Sequence, residues 1–287
     1  MPLLSYNFFI FLNGISDAAR LFIISCGLTL IFSLMRIVNL AHGVLYLAGG
    51  YIGLSVMKYT GSYLLALAAG ALGIAIVGLF IERGLLGWVR GQDLPETLVT
   101  LALIVIFQDT LLAIWGGYPE SIPKPALLDF SMNIFGLPYP AMRLFAILIA
   151  IFIGFGLWLF IEKTNIGAAI RAGVDDRETA SALGINIPVI FTFVFCIGAF
   201  LAGFAGVIGA TLTSLAPGLD SQALLFALVV IIIGGLGSLL GSAVGAVIVG
   251  LILNYGRSYV PEFAFLLTFL PMLLIIAFRP QGLLGKK

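Results

Sequence analysis

The sequence predicts an all-α polytopic membrane protein of about eight to ten transmembrane helices, on three observations. Hydrophobic residues make up 61% of the 287 and charged residues only 9%, with a mean hydropathy of +1.19, whereas soluble domains average about 25% charged. Several uncharged runs reach roughly 18 residues, the length that crosses a hydrocarbon core of about 30 Å as a helix. The two-residue alternation of an outer-membrane barrel strand is missing. At about 30 residues per span and loop the chain has room for eight to ten crossings and for no separate soluble domain, so residues 1–287 read as one transmembrane unit. A net charge of +1 leaves no footprint for nucleic acid. Cys26 and Cys196 both fall in apolar runs, where a small buried side chain is expected rather than a disulfide or a metal ligand.

In chain order, Met1 to Ile15 is apolar but carries Asn7, Asn13 and Gly14 and lacks a basic leader, which argues against a cleaved signal peptide. It reads either as an interfacial helix or as the start of a long tilted one, with Asp17 and Arg20 at the water boundary before the run Leu21 to Met35. Then comes IVNLAHGVLYLAGGYIGLSV from Ile37, in which Asn39, His42 and Gly43 interrupt the apolar pattern. Two readings are open there. One is a break in a span beside a translocation path or helix junction, since irregular backbone at membrane depth needs protein or a water-filled cavity around it. The other is a polar helix start at the membrane interface. Spans follow at Tyr63 to Ile81, Thr97 to Trp115, Ala141 to Ile161, Val189 to Leu212, Ser221 to Ile233, Ser238 to Asn254 and Ala264 to Phe278, with ERGLLGWVRGQD and SLAPGLD as polar turns between them. Gln108 and Asp109 lie near the exit of their span and are expected at interfacial water, because a charge held deep in a bilayer costs roughly 3 kcal/mol. Pro119, Pro123, Pro125, Pro138 and Pro140 forbid a regular span between Tyr118 and Pro140.

The polar interruption from Glu162 to Pro188, set between two strongly apolar runs, reads as a docking loop. Asp175 as N-cap with Glu178 at the third helical position has capping-box spacing, and Gly184 stands where a left-handed cap would end the helix. That spacing predicts roughly two turns. Ala180 and Leu183 would share its apolar side, with Asp176, Arg177 and Thr179 over the others, forming a small flat contact face.

If this loop is cytoplasmic, nine of the 14 Lys and Arg fall on its side: Arg36, Arg83, Arg90, Lys163, Arg171, Arg177, Arg279, Lys286 and Lys287. The other five, Arg20, Lys58, Lys124, Arg143 and Arg257, fall opposite, which agrees with the positive-inside bias and leaves the C-terminus in the cytoplasm. Glycine is the other signal, with 35 residues where average usage near 7% gives roughly 20. Gly237, Gly241 and Gly245 recur every four residues, as do Ala199 with Gly203, and Ala202 with Gly206 and Ala210. Such stripes let helices approach closely, within one chain or between subunits. Gly234 and Gly235 read as a helix break.

The substring ETASALG resembles the E-A-A-x-x-x-G pattern of ABC importer permeases, whose cytoplasmic coupling helix sits in a groove of the ATPase subunit. IVNLAHG at 37–43, IRAGVDDRETASALGINI at 170–187, GGLGSLLGSAVGA at 234–246 and the tail RPQGLLG together resemble the LivH-type permease of branched-chain amino acid ABC importers. The matches run in order over most of the chain. The resemblance implies the ABC importer permease architecture and a heteromer: a second related permease, two cytoplasmic ATPases and an extracytoplasmic binding protein, in a bacterial inner membrane. By position it carries Arg171, Ala172, Asp176, Ala180 and Gly184 into the family's cytoplasmic-loop pattern, and Asn39, Ala41, His42 and Gly43 into its N-x-A-H-G pattern. Glu178 joins that loop through its capping role. Family members also carry urea or short amides, so the resemblance leaves the substrate open.

The residues agree with this reading. No G-x-x-x-x-G-K-S/T loop is present, so the chain holds no nucleotide cofactor of its own and ATP would be bound by partner subunits. Two rivals differ in class. An ion-coupled secondary transporter places ionisable groups near the midplane, whereas the deep runs after residue 141 carry Asp, Glu, Lys and Arg only at their boundaries. An intramembrane hydrolase needs a nucleophile beside a base, and the single histidine, His42, has no nucleophile motif next to it.

Overall fold

The computed structural model describes residues 3–35, 39–134 and 136–285. Their elements are, in order, α1 (Leu3–Met35), α2 (His42–Thr60), α3 (Tyr63–Ile81), a π-helical turn (Glu82–Leu86) leading into α4 (Gly87–Val89), α5 (Asp93–Trp115), the antiparallel hairpin β1 (Ser131–Ile134) and β2 (Leu137–Pro140), α6 (Ala141–Lys163), α7 (Asn165–Asp175), α8 (Arg177–Ala182), α9 (Ile187–Leu212), α10 (Leu219–Gly234), α11 (Leu239–Tyr259) and α12 (Ala264–Phe278). Seven helices among the described residues are long and apolar enough to cross a membrane. Helices α2 and α10 complete the bundle. α2 is the more polar, which its position allows, since most of its residues are buried against other helices rather than facing lipid. Among the described residues this hairpin, in the proline-rich loop, is the one two-stranded sheet.

α1 is one unbroken helix of 33 residues, about 50 Å long. The N-terminal segment is therefore the first part of a long helix, and Asp17 and Arg20 lie within it rather than at a boundary before it. α11 runs antiparallel along α1: Thr29 Oγ1 meets Ser242 Oγ at 2.5 Å, Gly14 abuts Gly250, and Asn254 donates to Asp17. α9 fills the centre, its small residues admitting α2 and α3 to backbone contact. A Cβ on Gly49 would lie 2.3 Å from the Cα of Gly203, and one on Gly203 would lie 2.4 Å from the Gly70 carbonyl. No side chain fits there, so these helices pack backbone to backbone.

The stripe Gly237, Gly241, Gly245 is corrected in part. Gly241 and Gly245 press on the α10 backbone at Gly234 and Val230, an intramolecular contact, whereas Gly237 lies in the turn before α11 at φ +80°. The break at Gly234 and Gly235 is present, α10 ending at Gly234. The segment ERGLLGWVRGQD stays helical to Val89, leaving a turn only at 90–92, because buried Glu82 is held by Arg90 and by Thr192 Oγ1 (2.7 Å). α10, with 16 residues, is about 24 Å long and starts inside the bundle rather than at its edge.

The bundle has two ends. At one, α7 and α8 close over the termini of α1, α6 and α9. At the other, the proline-rich loop lies across the bundle: Glu120 pairs with Leu215 through both backbone groups, Lys58 binds Glu120 at 2.8 Å, and buried Tyr139 donates to the Leu12 carbonyl.

Candidate coupling and translocation site

α7 and α8 form the first part of the site. Thr164 caps α7 by accepting from Gly167 N–H, and a Cβ on Gly167 would strike the Ile161 carbonyl at 2.2 Å, so α7 folds back tightly onto the end of α6. Arg171 locks this corner by donating to the Ile161 carbonyl, with Glu162 at 3.8 Å. Ala172 lies half-buried beside it. Arg171 and Ala172 thus hold the ledge rather than form its outer face.

The capping residue of α8 is Asp176, not Asp175, which is the last residue of α7. Asp176 Oδ1 accepts from the N–H groups of Glu178 and Thr179, and Oδ2 accepts from the Thr179 hydroxyl at 2.5 Å. Glu178 is then the second helical residue, so no capping box with it forms; the adjacent aspartates left the register ambiguous by one. The Thr179 hydroxyl, then its N–H, holds the Asp176 carboxyl below the ordinary aspartate range. Gly184 adopts φ +88° and ends the helix as expected. Ala180 and Leu183 do not share a face: Ala180 is 2% exposed and packs inward, while Leu183 is 78% exposed. Glu178, Ser181 and Ala182 are exposed with it.

A second layer was not singled out in the sequence, where Glu82 and Arg90 read as one polar turn. Arg177 of α8 donates to the Leu34 carbonyl at the end of α1 and stacks on the Phe191 ring, 5.0 Å from its centroid; Arg90 stacks on the same ring at 4.7 Å. Arg90 also pairs with Glu82, which is fully buried in the π-turn. Cation–π and charge-assisted contacts therefore bind α8 to α1 and to α9, and the shared Phe191 ring and Arg90 link that joint onward to the π-turn that extends α3. A π-turn inside a helix commonly marks a functional position.

The third part is a polar seam inside the bundle. His42 opens α2, is fully buried, and its Nε2 lies 2.9 Å from the Ile24 carbonyl. A carbonyl only accepts, so Nε2 carries the proton. Ile24 is 11 residues up α1 from Met35, about 16 Å, so the polar start lies deep and not at an interface. Asn39 is buried and its Oδ1 accepts from Ala41 N–H, while Arg36, Ile37 and Val38 lie outside the described residues, as do Lys286 and Lys287. Gly43 touches the start of α10, where its Cβ would lie 2.3 Å from the Asp220 carbonyl.

That contact brings in two corrections. Gln108 is not interfacial but donates to Asp220 Oδ2 at 2.6 Å, and Asp220, placed by sequence in a boundary turn, is 2% exposed at the depth of Gly43. The loop after α9 turns back into the bundle, which composition does not signal. Asp220 Oδ1 accepts from Gly218 N–H, so both carboxylate oxygens are engaged. Asp109, by contrast, is exposed.

The family model for the branched-chain amino acid transport system / permease component matches residues 10–277. Among curated relatives, the high-affinity branched-chain amino acid permease protein BraD of Pseudomonas aeruginosa is 28% identical, with 96% of this chain and 94% of the relative covered. LivH of Escherichia coli is 26% identical at the same coverage. Among solved structures, PsaBC from Streptococcus pneumoniae in complex with Fab superposes with a TM-score of 0.53 over 94% of this chain and 91% of that one, at 11% identity, a likeness of fold. With a match over nearly the whole bundle, the chain belongs to the permease component family of the branched-chain amino acid transport systems.

Proposed function

We propose that the chain is the membrane-spanning subunit of an ATP-driven importer in a bacterial inner membrane, carrying branched-chain amino acids inward, with the α7–α8 ledge as the surface that docks a separate ATPase. The observation that carries this reading is α8 itself. It is a six-residue helix that exposes Ser181, Ala182 and its C-cap Leu183 while its other side is bound to α1 and α9. A helix this short has no stability of its own, so its attachment to two spans makes it a lever. The ledge then lies in the cytoplasm with the C-terminus, and the proline-rich loop faces outward. The partners are a second permease, two ATPases and an extracytoplasmic binding protein. ATP is bound by the ATPases, and closure of their pair moves both ledges and tilts the attached spans.

The test is Leu183→Asp, which changes an exposed side chain and leaves the internal contacts of α8 in place. Permease abundance in the membrane should match the parent, while ATPase co-purification and ATP-driven leucine uptake fall at least tenfold. Full retention of the ATPase by this variant would remove the ledge as the docking surface.

A further inference from the structure

At the end of the bundle away from α8 lies a cavity of about 230 Å³ between α1, α2, α6, α10 and α11. An apolar cavity of roughly 150 Å³ already holds benzene, so this one has room for a small organic molecule. Its walls are graded. Along α1 the lining residues Asn13, Asp17, Arg20, Leu21 and Ile24 form one stripe at three- and four-residue spacing, charged toward the outer end and apolar below. Along α10 the same order recurs, Gln222 above Ala223 and Phe226. The floor is Ile24, whose carbonyl accepts from His42.

The charges do not balance. Arg20, Arg143 and Arg257 line the cavity against a single carboxylate, Asp17. Asp17 takes Asn254 at 2.9 Å and Arg257 at 3.9 Å. Arg143 donates to the neutral Asn13 at 2.8 Å. Among the described residues neither Arg20 nor Arg143 has a carboxylate within ion-pair distance; Arg20 lies beside the Tyr46 hydroxyl and Arg143 beside that of Tyr139, neutral groups both, and the enclosed Arg20 Nε has no hydrogen-bond partner. Cations held inside a membrane protein are costly unless an anion meets them.

We infer that this cavity is a substrate site for a zwitterionic, apolar amino acid within this subunit. Arg20 and Arg143 receive the carboxylate, Asp17 receives the ammonium, and the side chain rests on Leu21, Ile24, Ala223 and Phe226. A planar guanidinium suits a carboxylate through two parallel bonds. Urea or a short amide, having no charge, would leave both arginines without an anion, so the site separates the two substrate classes the family resemblance leaves open. The inference rests on the proposed import function, which places the cavity on the side where a binding protein releases substrate.

The test uses the purified importer complex in phosphatidylcholine nanodiscs without binding protein, with radiolabelled L-leucine as probe. Leucine should bind saturably and be displaced by isoleucine, but not by leucinamide or urea. Arg20→Gln should lower affinity at least tenfold, and Arg143→Gln, which gives up the contacts to Asn13 and the Tyr139 hydroxyl, serves if Arg20→Gln fails to assemble. Asp17→Asn should weaken leucine binding while allowing 4-methylpentanoate, which lacks the ammonium, to compete. Three results would overturn the site: no leucine binding by an assembled, ATP-hydrolysing complex; binding indifferent to both arginine substitutions; or displacement only by phosphatidylglycerol, which would make the arginines a lipid headgroup contact. A complete importer that takes up no leucine would instead overturn the proposed function, so the two failures are distinct.

Discussion

Gly43→Ala puts the contact between α2 and α10 under direct strain. The added Cβ would lie 2.3 Å from the Asp220 carbonyl oxygen and 2.8 Å from the Leu224 Cβ, whereas ordinary contact begins near 3.4 Å. The nearer atom is backbone, so no rotamer change relieves it and the start of α10 must retreat by about 1 Å. Overpacking of this kind costs about 1–3 kcal/mol, offset in part by the roughly 0.5–1 kcal/mol that alanine gains over glycine in a helix. A net loss centred on about 1 kcal/mol and reaching about 2.5 remains, and the same retreat stretches the 2.6 Å Gln108–Asp220 bond past useful hydrogen-bond length. Gly156→Ala in α6 is the matched control, since its Cβ would meet nothing within 4 Å. The assay is thermal unfolding of the detergent-purified complex followed by size exclusion, together with ATP-driven uptake in proteoliposomes. Gly43→Ala should melt lower and transport poorly, while Gly156→Ala matches or exceeds the parent. Indistinguishable curves for the two variants would refute the close approach as a constraint on the seam.

Single cysteines at Lys124 and Ser181, in a background without Cys26 and Cys196, should differ in labelling by an impermeant maleimide on intact cells; both side chains are exposed, and only position 124 should react. His42→Leu removes one hydrogen bond to a backbone carbonyl, worth about 1 kcal/mol, so insertion should hold while uptake falls, and equal uptake would leave His42 as packing alone. Gly184→Val forces a β-branched residue to φ +88°, where even alanine costs roughly 1 kcal/mol, and with nothing within 4 Å of its Cβ the defect should appear as weaker ATPase retention at normal membrane abundance. The Asp176 carboxyl is held below its ordinary value of roughly 3.9 by Thr179. Its capping contribution is therefore fully present above that value and lost only as pH falls through the lower folded value; ATPase retention should be flat from pH 5 to 8, and Asp176→Ala should weaken it across that whole window.

The spans were legible because lipid demands long apolar runs, and Tyr63–Ile81 was placed at both ends from sequence. The cap at Gly184 was legible because a local backbone rule governs it. What escaped was decided by distant partners. Asp220 and Gln108 are 112 residues apart, and each alone looks like a residue near a boundary. Glu82 reads as a turn until Arg90 and Thr192 close on it. Asp175 and Asp176 are equivalent as capping residues in sequence, and only the corner held by Thr164 and Arg171 selects the second. Leu183 fits an apolar face at helical spacing from Ala180, yet the helix ends beside it and turns it outward.

The two ends of the site share one rod. Arg177 reaches the Leu34 carbonyl at the α8 end of α1, and the cavity residues Asp17 and Arg20 lie on the same helix, Arg20 about 21 Å away along the axis. α1 has no break over that length, so a displacement of the α8 end of α1 would be carried along the rod to Asp17 and Arg20. Between ledge and cavity stands the Ile24–His42 bond, where α2 begins. Any shift of α1 relative to α2, which packs backbone to backbone on α9 at Gly49 and Gly203, would fall on that bond. A relative shift of α1 and α2 at the seam would therefore open the cavity floor at Ile24, which ties the proposed docking ledge to the proposed substrate cavity through one hydrogen bond.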